Sequence, residues 1–186
     1  MASKRAKSKG KQINPHYWVF CEGETEEAYV CLLRSHFRLP IEVVTKVIGT
    51  SITSRCVNSH KKGKPTTSKD KDFLLYDADR PDVIAKLKQI KDAVLLTSNP
   101  SIELWFLLHY KNVACEITTD NCIKEISNRT RKEYKKGCIN TVLERKLKEN
   151  YPTASDRSKK TKVFDNPSSN VHILLEELER VKKSHK

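Results

Sequence analysis

Four short runs rich in aromatic and β-branched residues, at 17–21 (YWVFC), 41–48 (IEVVTKVI), 73–76 (FLLY) and 93–97 (AVLLT), alternate with stretches of helical periodicity. This alternation narrows the fold more than any other feature of the chain. Strands joined through helices run parallel, because a crossover long enough to hold a helix returns the chain in the same direction. A parallel sheet is covered on both faces, which accounts for the near-continuous apolar character of the runs. The pattern predicts an α/β fold with a mainly parallel four-stranded sheet flanked by helices.

The connecting segments fit that frame. After the first run, Glu24, Glu26 and Glu27 fill a first helical turn, where negative charge suits the helix dipole, and Ala28, Tyr29, Leu32, Leu33 and Phe37 follow at helical spacing. Residues 50–71, ending in the basic, turn-prone stretch KKGKPTTSK, read mostly as a helix and a loop open to ordering by a ligand. Pro81 is placed to start a helix through Ile84, Leu87 and Ile90. Ser98-Asn99-Pro100-Ser101 then break and cap the chain before 102–110, whose apolar content implies a helix buried on most sides. From about 118 onward the reading is helical, over 122–129, 134–151 and 171–183, the last with Ile173, Leu174, Leu175, Leu178 and Val181 on one face. Residues 1–15, carrying Lys4, Arg5, Lys7, Lys9 and Lys11, read as a disordered basic arm. Residues 16–184 read as a single domain: an α/β core over about 16–112 and a helical extension over about 113–184.

With 36 Lys+Arg against 23 Asp+Glu, the formal net charge of +13 is the electrostatic footprint of a polyanion binder, and nucleic acid is the expected partner. Lys61, Lys62, Lys64, Arg80, Arg129, Arg131 and Lys132 are the expected contacts, and Lys135 and Lys136 extend the densest cluster. No apolar run approaches the ~20 residues of a membrane span, and no secretory signal opens the chain, so a cytoplasmic protein without membrane contact is expected. The six cysteines never fall in a C-x-x-C pair and read as reduced, mostly buried thiols. No Walker A spacing is present, since Gly63-Lys64-Pro65 lacks it.

Against that basic background the placement of the acids is informative. Cys21-Glu22-Gly23-Glu24 follows the first run directly, and Asp77-Ala78-Asp79 follows the third. In a parallel sheet ligands gather beyond the carboxyl ends of the strands, so both motifs fall where a site is expected. Mg²⁺ or Mn²⁺ needs only a few carboxylates together with substrate oxygens, and Glu22, Asp77 and Asp79 supply that number. Those three are the candidate catalytic and metal-holding residues. Glu22 serves either as a ligand or as a general acid/base. Glu26, one helical turn after Glu22, is a further candidate, and so are Asn99 and Glu103. Glu103 stands on a mostly buried helix, where a carboxylate needs a partner or a cation. Glu24 and Glu27 read as ordinary first-turn acids. Paired acids after the first strand would mark a response-regulator receiver, but that strand ends here in Glu-Gly.

Glu22-Gly23 after one hydrophobic strand and Asp77-x-Asp79 after another resemble the TOPRIM fold of topoisomerases, primases and nucleases of the OLD (overcoming lysogenization defect) group. More closely, CEGETEEAY at 21–29, DADR at 77–80, SNPSIELWFLLHY at 98–110 and NPSSNVHILLEEL at 166–178 look like the successive motifs of the bacterial RloB-like family. The blocks stand in family order and span 17–178. The sequence departs from the family at Ile102, where an aromatic is usual, and at Ser101, where a cysteine is frequent. Pro81 stands where some TOPRIM proteins carry a third acid.

The resemblance implies a small TOPRIM-like protein of prokaryotic defence against phage, coupled to an ATPase of the ABC/AAA type. By analogy with related effectors, some of which cut tRNA, it implies a metal-dependent nuclease acting on RNA or DNA. Glu22 carries over as the acid/base or metal-associated glutamate, and Asp77 and Asp79 as metal ligands. The alternative is a non-catalytic nucleic-acid-binding, sensor or interaction module of the same defence complex.

Overall fold

The computed structural model describes residues 14–184, so residues 1–13 of the expected basic arm lie outside the described part. The first half of the chain runs β1 (His16–Cys21), α1 (Glu24–Phe37), β2 (Glu42–Val47), a single 3₁₀ turn (Gly49–Ser51), α2 (Ser54–Lys61), β3 (Lys71–Asp77), α3 (Pro81–Leu87), β4 (Ala93–Asn99) and α4 (Ile102–Leu108). The second half runs α5 (Thr119–Thr130), α6 (Thr141–Glu149), α7 (Tyr151–Ser158), β5 (Ser168–Ser169) and α8 (His172–Ser184). The sheet order is β2-β1-β3-β4-β5, with the first four strands parallel. This is the α/β arrangement that the alternating runs predict, and it agrees with the TOPRIM-like description.

Two cores sandwich the sheet. Odd-numbered positions of β1 and β3, such as Tyr17, Val19, Phe73 and Leu75, face a large cluster that takes in α1, α4 and the C-terminal helices. Even-numbered positions, Trp18, Phe20, Leu74 and Tyr76, face a smaller one closed by Ile52 just after the 3₁₀ turn, Val57 of α2, and Val83 and Leu87 of α3. A period of two along strands buried on both faces requires this division. Helix α4 is buried along its whole length, with Trp105 fully inside, as its unbroken apolar content requires.

Three expectations need correction. The sheet has a fifth strand, because Ser169 and Ser168 pair antiparallel with Ser98 and Asn99, and the Ser98 and Ser169 hydroxyls meet at 2.9 Å. The single helix expected over 134–151 is instead an irregular strap, residues 131–140, followed by α6 and α7. The strap contains Gly137 at φ +78°, and Asn140 caps α6 by accepting the N–H groups of Val142 and Leu143. The cysteines are free thiols, but only Cys21 and Cys122 are buried, because the others fall on helix faces and loops that reach the surface. No helix among the described residues is long and apolar enough to cross a membrane.

Candidate active site

β1 and β3 are adjacent and parallel, with Cys21 opposite Leu75, so the residues that follow them emerge at one edge of the sheet. Glu22 donates its N–H to the Leu75 carbonyl (3.1 Å), and its Oε2 accepts the N–H of Asp77 (3.0 Å). Asp77 Oδ1 in turn accepts the N–H of Ile102, the first residue of α4 (2.9 Å). Two carboxylates therefore tie together the ends of β1 and β3 and the start of α4. Each does so through one oxygen, leaving the other for a ligand.

Glu26 and Glu103 close in from the helices. Glu26 is buried in the first turn of α1 and accepts the Gly23 N–H at 2.9 Å, the reach-back contact of a capping box. A Cβ at position 23 would stand 3.2 Å from Glu26 Oε2, so a side chain there would press on the carboxylate that caps the turn. Glu103 is fully buried on α4 and accepts from Ser101 Oγ (2.7 Å) and the Tyr134 hydroxyl (3.1 Å).

The strap forms the opposite wall. Gly137 donates its N–H to Thr25 Oγ1 (2.9 Å), and its positive φ lets the backbone pass 3.4 Å from Glu24 Oε2, measured from where a Cβ would sit. Between the walls lies a cavity of about 300 Å³, lined by Glu22, Glu24, Thr25, Glu26 and Asp77 from the strand ends and α1 and by Lys136 and Gly137 from the strap.

Charge in this cavity is mostly negative, with Lys136 the one cation among the described residues that line it. Burial, followed by the nearby charges of Glu26, Glu22 and Glu103, pushes the Asp77 carboxyl up to about 9, against the pull of the Ile102 N–H. Burial also raises Glu22, helped by Asp79, while the Asp77 N–H, Arg80 and Lys136 pull it back. Glu26 is raised by burial, with smaller contributions from Glu103 and Glu22. Oxygen-only donors carrying surplus negative charge are the set that a hard divalent cation fits. As placed, no three acids, histidines or cysteines among the described residues converge into a ready-made cage.

Of the residues singled out from sequence, Glu22, Glu26, Asp77 and Glu103 come together at this edge. Asp79 is exposed in the loop beyond β3, within electrostatic reach of Glu22. Asn99 does not join them. Its Nδ2 donates to the Phe164 carbonyl (2.8 Å), because β4 pairs with β5 there and draws the side chain toward the 158–168 connection.

The expected basic contacts divide among several surfaces. Lys61 pairs with Asp72 at 2.6 Å and, with Lys62 and Arg55, lines a second, open cavity of about 630 Å³ along α2; Lys64 is exposed just beyond. Arg80 pairs with Asp82 (2.9 Å) near the acidic edge. Arg129 lies 3.9 Å from Glu125, with Arg131 and Lys132 exposed after it.

A family model described as RloB-like protein matches residues 17–178, from the second residue of β1 into α8. The chain belongs to the RloB-like family. The match takes in every acid of the cavity and the strap across it. No curated protein and no solved structure matches the chain.

Sequence reasoning missed four parts of this RloB-like site as site residues: Thr25, Tyr134, Lys136 and Gly137. Each acts across more than 30 residues of chain, Thr25 and Gly137 across 112. One local signal existed, since Gly137 is the sole glycine beyond residue 63 and sits in a basic run.

Proposed function

We propose that this RloB-like protein is a TOPRIM-type nuclease that cleaves phosphodiester bonds in RNA, tRNA included, or in DNA. In this reading it uses Mg²⁺ or Mn²⁺, works in defence against phage, and is controlled by a partner ATPase of the ABC/AAA type. The defence role and the ATPase rest on the family resemblance. The chemistry rests on one observation: Glu22 and Asp77 meet at the joint carboxyl end of two parallel strands, with Glu26 and Glu103 close by, an arrangement in which burial and these acids push Asp77 up to about 9. Carboxyls perturbed by burial and by one another cluster at functional sites, and a cation would relieve their repulsion.

With Glu22 either joining them or handling the proton, Asp77 and, from the loop, Asp79 would hold the cation. When bound, it supplies a Lewis acid for a phosphoryl oxygen and a more acidic water. The chain's own groups do the rest. Glu22 lines the cavity, carries a raised pKa and has only one oxygen committed to the Asp77 N–H, so in its proton-handling role it can take a proton from the attacking water or return one to the leaving oxygen. Lys136 stands at the mouth of the same cavity, suited to a phosphate oxygen. The α2 groove, with Lys61 and Lys62, offers a second hold on the backbone of a long substrate.

The test is incubation of the protein, alone and with its partner, against total tRNA, single-stranded RNA and duplex DNA in Mg²⁺, Mn²⁺ or EDTA. Metal-dependent cleavage that disappears in Glu22→Gln and Asp77→Ala is the expected result. Binding without cleavage under every condition, alike in wild type and variants, contradicts the proposal.

A further inference from the structure

Strand β2 is the edge of the sheet, hydrogen-bonded on one side to β1 and on the other to no strand among the described residues. Its inward bonds fall on even positions: Glu42 N–H reaches the Pro15 carbonyl at 2.8 Å and Ile48 N–H the Cys21 carbonyl at 3.0 Å. By the alternation of a parallel ladder, the backbone groups of Val43, Thr45 and Val47 point outward. The Val43 carbonyl has a long contact, 3.4 Å, from Arg34 Nη1. The strand is six residues long, free of proline, and unbroken in register with β1, so it lacks the devices of bulge, brevity or proline that blunt an edge.

The side chains of this edge are self-complementary in one arrangement. Glu42 and Lys46 are exposed, lie on the same face, and sit symmetrically about Val44. In an antiparallel pairing of two copies about a two-fold axis through Val44, Glu42 of each strand opposes Lys46 of the other, and Val44 opposes its own copy. Val43 opposes Thr45, the positions whose N–H and C=O point outward, so each such pair exchanges both backbone bonds. Glu42 and Lys46 then fall at non-hydrogen-bonded positions, where opposed side chains approach most closely. Shifting the register by two residues sets Lys46 or Glu42 against Val44, and parallel pairing would stack like charges.

We propose that β2 is a homodimerisation edge, joining two copies through antiparallel β2–β2 pairing centred on Val44 into one continuous sheet. Six-residue strands alone bury less than the ~1,200 Å² of a standard interface, so the dimer is a weak one that dissociates on dilution. The inference is independent of the nuclease reading.

Sedimentation velocity across a loading series of the full chain tests it. Wild type moves from monomer to dimer with rising concentration. Glu42→Lys and Lys46→Glu, each examined alone, weaken self-association roughly tenfold by opposing like charges twice. Mixing the two variants restores a dimer, because one strand then carries two lysines and the other two glutamates. Thr45→Pro, which removes an outward N–H from an edge strand, dissociates the dimer, with circular dichroism checking that the fold survives. A wild type that stays monomeric at every loading overturns the proposal. So does a dimer indifferent to these substitutions, or a mixture of the charge variants that gains no association.

Discussion

The two ends of the same pair of strands treat carboxylates in opposite ways. At the amino end, Glu177 of α8 accepts from the hydroxyl of Tyr17 near the start of β1, and pairs with Lys71 at the start of β3 (2.8 Å) and with Arg180. These partners hold Glu177 down at about 2, despite the opposing effect of its burial. At the carboxyl end, Asp77 is pushed up to about 9, and its ionic neighbours are chiefly more acids. The first arrangement is complete and locks a helix to the sheet. On the proposed reading the second is completed from outside by a cation, and that would separate a structural acid from a functional one in this chain.

The largest expected effect is on activity. Glu22→Gln and Asp77→Ala each lower metal-dependent cleavage by about 100-fold or more, while Glu177→Gln leaves the rate per folded molecule unchanged. Equal losses at both ends would erase the distinction.

Stability moves in the other direction. A carboxyl raised in the folded state favours folding below its unfolded pKa of about 4 and loses that contribution as pH rises toward 9. Without metal, Asp77→Asn therefore raises stability by about 2 kcal/mol at pH 8, and the gain over wild type grows between pH 4 and 9 in urea titrations. Asparagine keeps an acceptor for the Ile102 N–H, so packing is retained. A destabilised Asp77→Asn would mean that the ionised acid is at home there.

Glu177 shows the opposite sign. Its depressed pKa stabilises the fold above about 4.5 and ceases to do so as pH falls toward 2. Glu177→Gln costs about 1 kcal/mol at pH 7 once solvent screening is allowed for, and the cost shrinks below pH 4.5 in the same titrations. The smallest effect is at Asp79, which is exposed. Asp79→Asn changes stability by less than about 0.5 kcal/mol, so any loss of cleavage there reports on the site and not on folding.

How much of this could be read in advance follows from how local each feature is. The four parallel strands announce themselves because each is a dense apolar run. Glu22 and Asp77 are legible because they abut those runs. Strand β5 is two serines, whose pairing depends on the Ser98–Asn99 edge seventy residues earlier and leaves no apolar trace. Residues 134–140 read as the start of a helix over 134–151, yet Tyr134 turns inward to Glu103 and Gly137 turns the chain toward Thr25, contacts with residues far back in the chain. Asn99 was legible as a polar residue at a strand end, but not the direction of its side chain, which the loop at Phe164 decides.

Calorimetric titration of Mn²⁺ into the metal-free protein near pH 7, repeated in buffers of different ionisation enthalpy, tests the proposed cation site most directly. Cation binding at the carboxyl end should displace the proton that Asp77 holds below pH 9, so uptake should be accompanied by proton release. Both should be lost in Asp77→Asn and intact in Glu177→Gln. Absence of binding, or binding without proton release and equal in wild type and Asp77→Asn, would contradict the account.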